Sequence, residues 1–187
     1  MDRELVVRAM AGDREAFSEL VRRSIDRLHA VARLILRDPG HAEDATQEAL
    51  VAAWRDLSAL RDPDRFDAWL YRVLVRTCHR EARRDRDART AAIREIELAA
   101  STHVTPDGTA RLADRDAVER GFRRLDTDDR SLLVLHYYLG YSISEVARIL
   151  GIPDGTAKSR LHRATAQMRS TLDADARTPQ LGHGLVP

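Results

Sequence analysis

Apolar residues recur along this chain at the spacing of helices. From Phe17 they fall at Phe17, Leu20, Val21, Leu28, Val31 and Ile35, steps of three, four and seven that draw one stripe. Asp38-Pro39-Gly40 interrupts it, and proline behind an aspartate suits the first turn of a new helix. That second helix, HAEDATQEALVAAWRDL, ends near Leu57. RDPDR (Arg61–Arg65) reads as a turn, and a third helix follows from about Phe66 with Phe66, Trp69, Leu70, Val73 and Leu74 on its buried face. With the short Leu5–Met10 segment, these helices can bury one another as a first domain, residues 1–84.

From Arg83 the pattern decays. RRDRDAR is charged on every side, RTAAIREIELAA can form a short helix, and STHVTPDGT (Ser101–Thr109) clusters loop formers. Residues 85–115 are therefore expected to be a linker, helical only in part. Periodicity returns at Val118, Phe122 and Leu125, then at Leu132, Leu133, Leu135, His136 and Leu139. A second domain is expected over 116–172, with 173–187 as a mobile tail lacking any stripe. No segment keeps a strand period and no repeat is evident. The expected fold is all-α: two small helical domains joined by a flexible linker.

The second domain carries a helix-turn-helix pattern. Ser142 and Glu145 form a capping box, and the helix behind them turns Val146, Ala147, Ile149 and Leu150 inward. Gly151 suits the left-handed residue of a tight turn, and Ile152 can plug the gap between the helices. Asp154 or Thr156 caps the next helix, whose inner face is Ala157, Leu161 and Ala164. Its outer face is Lys158, Ser159, His162 and Arg163, with Arg160 at the edge. A small residue at the crossing, a glycine turn four residues on and a polar second helix make a DNA-reading arrangement. From Arg130 to Arg169 six cations stand against two anions, a surplus of four. The competing reading is a solvated basic face on an ordinary helical hairpin.

Composition adds limits more than direction. Hydrophobic residues make up 43% of the 187, enough for real cores, and charged residues 33%, yet the formal net charge is only +1. Bulk charge thus announces no nucleic-acid partner; only local clustering does. Lys158 is the single lysine, best read as compositional bias. Asparagine is absent, which excludes the asparagine–adenine contact. One cysteine, Cys78, permits neither an intrachain disulfide nor a multi-cysteine zinc site. Charges occupy the N-terminal stretch where a secretory core would lie, and no run approaches a membrane span, so a soluble cytoplasmic protein is expected.

Two patches in the first domain invite chemistry. Asp44, Gln47 and Glu48 share a helix face, beside small residues Ala45, Ala49, Ala52 and Ala53 that would let a partner approach closely. On spacing alone the acids are read first as complements to the helix dipole. On the third helix Arg72, Arg76 and Arg80 are spaced by four and accompany Trp69, equipment for holding unpaired bases and a backbone.

Three stretches together resemble an extracytoplasmic-function sigma factor, the small promoter-specificity subunit of bacterial RNA polymerase: AEDATQEALVAAW, FDAWLYRVLVRTCHREARR and YSISEVARILGIPDGTAKSRLHRA. With neighbouring helices the resemblance covers most of residues 10–84 and 118–170. It implies that Asp44, Gln47 and Glu48 dock on the clamp helices of the polymerase β′ subunit. It implies that Arg61, Asp62, Asp64 and Arg65 of the loop, with Trp69, Arg72, Arg76 and Arg80, open the minus-ten promoter element and capture a flipped base. It assigns the minus-thirty-five element to Lys158, Ser159, Arg160, His162 and Arg163. The implied partners are core RNA polymerase (β′ clamp helices and β flap) and promoter DNA, with an anti-sigma factor left open. No cofactor, small-molecule substrate, metal or membrane insertion is implied. Two departures stand out: Thr165 occupies a position where the family often has arginine, and no asparagine is available in the minus-ten loop.

Other classes leave different marks. A stand-alone helix-turn-helix regulator predicts paired half-sites and binding without polymerase. A sigma-like decoy need not keep the basic reading face. For an enzyme, Cys78 and His79 are neighbours pointing about 100° apart on a helix, a poor nucleophile–base pair.

Overall fold

The computed structural model describes residues 2–99 and 113–177. Every element among them is helical. The first half comprises α1 (Arg3–Met10), α2 (Arg14–Leu36), α3 (Pro39–Asp56), two short 3-10 turns and α4 (Phe66–Ala99). The second comprises α5 (Ala113–Arg124), α6 (Thr127–Leu133) running into a π-helical turn Val134–Tyr138, α7 (Ile143–Leu150) and α8 (Asp154–Arg177).

Aspartate caps start α2 and α3: the one at Asp38 was expected from the sequence, the one at Asp13 was not. Asp13 Oδ1 accepts from the Glu15 and Ala16 amides at 3.0 Å, and Asp38 caps α3 with Pro39 in its first turn. Between α2 and α3 the turn is made by Arg37, at φ 64°, the sole positive-φ residue other than glycine among those described. Its guanidinium compensates by reaching the Glu119 carbonyl at 2.7 Å and carboxylate at 3.1 Å.

The stripes seen in the sequence become the core. Leu20, Leu28, Val31 and Ile35 of α2 meet Phe66, Leu70 and Leu74 of α4. Ala42, Ala45, Ala49 and Ala53 are fully buried, so the slim side of α3 brings it close to α2 and α4 rather than to an outside partner. The core does not stop at the first half. Leu132, Val134, Leu135, Val146, Ala147, Ile149 and Ala157 belong to the same cluster. The two helical domains thus lie against each other, α4 along α6 and α7.

Two boundaries differ from expectation. Helix α4 continues through RRDRDAR to Ala99, and α8 continues past 172 to Arg177. The stretch Arg83–Arg89 has no apolar stripe, but Arg89–Asp85 at 2.8 Å and Arg84–Glu81 at 3.6 Å are helical-spacing ion pairs that support an exposed helix. The expected loop Ser101–Thr109 and the tail from 178 onward lie outside the described residues.

Candidate nucleic-acid interface

The helix-turn-helix is built as its sequence suggests. The Ser142 hydroxyl accepts the Glu145 amide, and the Glu145 carboxylate accepts the Ser142 amide at 2.8 Å. Gly151 ends α7 at φ 69°, and a side chain there would meet the usual left-handed penalty. Ser144 then donates to Asp154 at 2.7 Å, joining α7 to the first turn of α8. Ala147 and Ala157 are buried at the crossing. The crossing sends Lys158, Ser159, His162 and Arg163 outward, with Arg160 half-buried.

Two of these cations are not free. Arg160 Nη1 binds the Asp128 carboxylate at 3.1 Å, and Arg163 Nη2 binds both oxygens of Asp129 at 2.9 Å. Asp129 is almost fully buried, while the Arg163 side chain is 62% exposed. That carboxylate holds the guanidinium above its ordinary range by hydrogen bond and charge. Arg160 and Arg163 therefore fix α8 to α6, each through one terminal nitrogen. Sequence reasoning missed Asp128 and Asp129 because a charge count begun at Arg130 starts just after them. Lys158, His162 and Arg169 line an open groove on the outer side of α8.

The arginine stripe of α4 meets three different surroundings. Arg72 donates to the Arg148 carbonyl at 2.6 Å, across the domain boundary, while its buried Nε has no partner among the described residues. Arg76 is exposed. Arg80 binds Glu48 at 2.7 Å, with Arg84 also near that carboxylate at 3.8 Å. Trp69 is half-buried, its ring 6.0 Å from Phe66. In the preceding loop Asp62 accepts the Asp64 amide and pairs with Arg65 at 3.2 Å, Arg3 pairs with Asp64 at 3.4 Å, and Arg61 is exposed.

On α3, Asp44 and Gln47 are exposed, and Gln47 donates to Glu43 at 3.3 Å. Glu48 is half-buried and held by Arg80. The acidic face and the arginine stripe, distinct in the sequence, therefore touch at one ion pair. His41 reinforces the α3–α4 contact from Glu81 at 2.9 Å, which raises its pKa.

The domain boundary has its own polar seam. His79 Nε2 lies 2.9 Å from Ser131 Oγ, and Ser131 gives its own proton to the Thr127 carbonyl, so the imidazole donates. Its Nδ1 sits 3.4 Å from Asp128. Burial, more than the neighbouring charges, pushes the His79 pKa down. Tyr71 meets Tyr141 edge-on at 6.0 Å, and burial lifts the Tyr141 phenol to about 12. Cys78 is fully buried and its thiol is pushed up to about 12, which leaves no thiolate for nucleophilic chemistry.

A capped helix-turn-helix beside an arginine-bearing helical domain is the architecture of a two-domain protein built around a DNA-reading fold. The comparisons make the class particular. Residues 20–88 match Sigma-70 region 2 and residues 115–168 match Sigma-70 region 4. The ECF RNA polymerase sigma factor SigM of Mycobacterium tuberculosis is 37% identical over 171 residues, 91% of this chain and 84% of the relative. The RNA polymerase sigma-E factor of Streptomyces coelicolor is 34% identical over 86% of this chain and 90% of its own. The solved structure of CnrH in complex with the cytosolic domain of CnrY matches with TM-score 0.66 and 31% identity, covering 93% of this chain and 98% of that one. The chain belongs to the sigma-70 family as an extracytoplasmic-function sigma factor. It binds core RNA polymerase and promoter DNA and directs promoter-specific transcription initiation. Among the described residues no helix is long and apolar enough to cross a membrane.

Proposed function

We propose the following division of that function among residues. The outward face of α8, Lys158, Ser159 and His162 with the unpaired nitrogens of Arg160 and Arg163, reads the minus-thirty-five element. The observation that carries this is the capped crossing of α7 and α8, which holds those side chains toward solvent on a rigid domain. The loop Arg61, Asp62, Asp64 and Arg65, with Trp69, Arg72, Arg76 and Arg80, engages and opens the minus-ten element. Asp44, Gln47 and Glu48 dock on the β′ clamp helices, and the domain of residues 116–172 also meets the β flap. Residues 1–84 and 116–172 act as the two functional units, joined by 85–115. Arg72 spends one terminal nitrogen on the Arg148 carbonyl, so it meets DNA either with its remaining terminal nitrogen or after the α4–α7 contact opens. Neither surface needs high affinity alone, because polymerase holds both on one DNA.

Work in the cytoplasm beside the polymerase follows from this reading; restraint by an anti-sigma factor is a separate question that the reading leaves open. CnrH, 31% identical, was solved in complex with the cytosolic domain of CnrY, which supports a protein partner for this fold. The deciding experiment adds the purified chain to core polymerase with a promoter pool. Specific transcripts are expected, and their absence from every promoter would sink the reading. Lys158→Ala is then expected to weaken use of the upstream element without loss of polymerase binding. Lost polymerase binding in that variant would show α8 to be misassigned.

A further inference from the structure

The π-helical turn has one residue more per turn than an α-helix, and such turns often mark functional sites. Here it buries Val134 and Leu135 and turns Tyr137 outward, 64% exposed. The tyrosine is braced all the same. His136 meets its ring edge-on at 4.7 Å, and His136 Nδ1 is itself tied to the Tyr141 carbonyl at 2.8 Å. Tyr137 forms one wall of a groove of about 280 Å³ whose other wall is α8.

Lys158, His162, Thr165 and Arg169 follow at steps of four, three and four, so they lie along that wall as one stripe, with Ala166 beside them. No carboxylate lines the groove. Among the described residues neither Lys158 nor Arg169 pairs with an acid, unlike Arg160 and Arg163 one helical face away. An aromatic hydroxyl, two unneutralised cations and an imidazole around one concavity fit an oxyanion, and on a DNA-facing helix that oxyanion is a backbone phosphate.

We propose that this groove seats a promoter backbone phosphate, held by Tyr137 Oη and Arg169 together with Lys158 and His162, beside the base pairs that α8 reads. Tyr137 and Arg169 are then positioning contacts that set the register of α8 on the duplex and carry no base preference. The proposal rests on α8 facing the minus-thirty-five element.

The test uses the full chain bound to core polymerase on promoter duplexes with the native or a scrambled upstream element, across a salt series. Arg169→Gln is expected to lower the slope of log affinity against log salt by about one, equally for all sequences. Tyr137→Phe is expected to weaken binding by about fivefold. Ala166→Glu, which places a carboxylate in the groove, is expected to weaken it more than either. Unchanged polymerase affinity and helical content certify that each variant folds. Scrambling the element separates the two ideas. If scrambling weakens wild-type binding while all three variants behave as wild type, the phosphate seat is overturned and the reading of α8 stands. If scrambling has no effect, α8 does not read the element and both fall.

Discussion

Ser142→Ala tests whether local capping holds the DNA-reading geometry. Helix α7 has eight residues, far too few to persist alone, and the amides of its first turn lack partners within the helix. The Ser142 hydroxyl accepts the Glu145 amide at 3.3 Å and donates to Glu145 Oε2 at 2.7 Å, while the Ser142 amide reaches the same oxygen at 2.8 Å. Alanine deletes the first two interactions and keeps the third, so the expected cost is about 1 kcal/mol. For a chain of this size that is a fall of about 2–4 °C in melting temperature per kcal/mol. Val146, Ala147 and Ile149 tie α7 to the core, so fraying moves the platform under α8. Urea denaturation of Ser142→Ala, Glu145→Ala and the double variant measures the box as a unit. The double variant is expected to lose less than the sum of the singles, with a coupling of at least about 0.5 kcal/mol. Ser142→Thr is expected to stay near wild type. The Ser142 hydroxyl and amide hold the Glu145 carboxyl below its ordinary range. A depressed acid contributes stability above its unfolded value and loses it as pH falls through the folded one, so the Ser142→Ala penalty is expected to shrink at acid pH. Strictly additive singles, or a penalty that does not change with pH, would refute the capping argument.

Asp44→Arg reverses an exposed charge with no structural duty and is expected to weaken core polymerase affinity about tenfold or more at unchanged folding stability; equal affinity in a titration would return that face to a helix-dipole role. His79 faces Asp128, Asp126, Arg83 and Arg160, and burial depresses its pKa. The unfolded chain then binds more protons, so stability drops as pH falls below the ordinary histidine range, whereas His41, raised by Glu81, stabilises on the acid side and loses that contribution as pH rises. Melting temperatures of His79→Gln are expected to lose the part of the decline that lies just below the ordinary histidine range, and an unaltered profile there would refute the assignment. Leu135→Ala empties a fully buried site in the core shared by both domains, with an expected cost of about 2–5 kcal/mol. One denaturation transition is expected for tryptophan fluorescence, which reports the first half, and for far-UV signal, which reports both; two separated transitions would show that the halves fold apart.

Helical periodicity showed most of the fold because periodicity records burial. The stripe from Phe17 to Ile35, the box at Ser142 and the turn at Gly151 all appear where burial or a special dihedral demanded particular residues. The same logic explains the boundary at Arg83. The exposed part of α4 buries little, so its sequence carries no stripe, and its helicity rests on ion pairs that look like mere charge. The alanines of α3 were legible as a slim face, but the occupant of that face was not, since α2 and α4 come from elsewhere in the chain. Pairing across distance was hidden for the same reason. Arg160 and Arg163 find carboxylates more than thirty residues upstream, and beginning the count at Asp126 instead of Arg130 cuts the surplus from four to one.

That correction bears on which cations DNA can recruit. An arginine already paired contributes little field at range, and it joins DNA only if its carboxylate can be left behind. Glu48 and Arg80 are 40% and 46% exposed, so their pair is worth at most about 1 kcal/mol and Glu48 stays solvated when Arg80 leaves. Arg80 is therefore exchangeable, and a phosphate that draws it from Glu48 also frees an acid on the face assigned to polymerase. Asp129 is the opposite case. Its side chain is 4% exposed, and departure of Arg163 Nη2 would strand a buried carboxylate. Arg163 thus stays on α6 and offers DNA only its remaining donors. Replacing it tests folding before it tests recognition, so Lys158→Ala and Arg169→Gln are the cleaner probes of the promoter-facing surface. On the proposed assignment, a chain of net charge +1 holds two DNA surfaces in this way, with a few free cations on each and the polymerase holding both on one promoter.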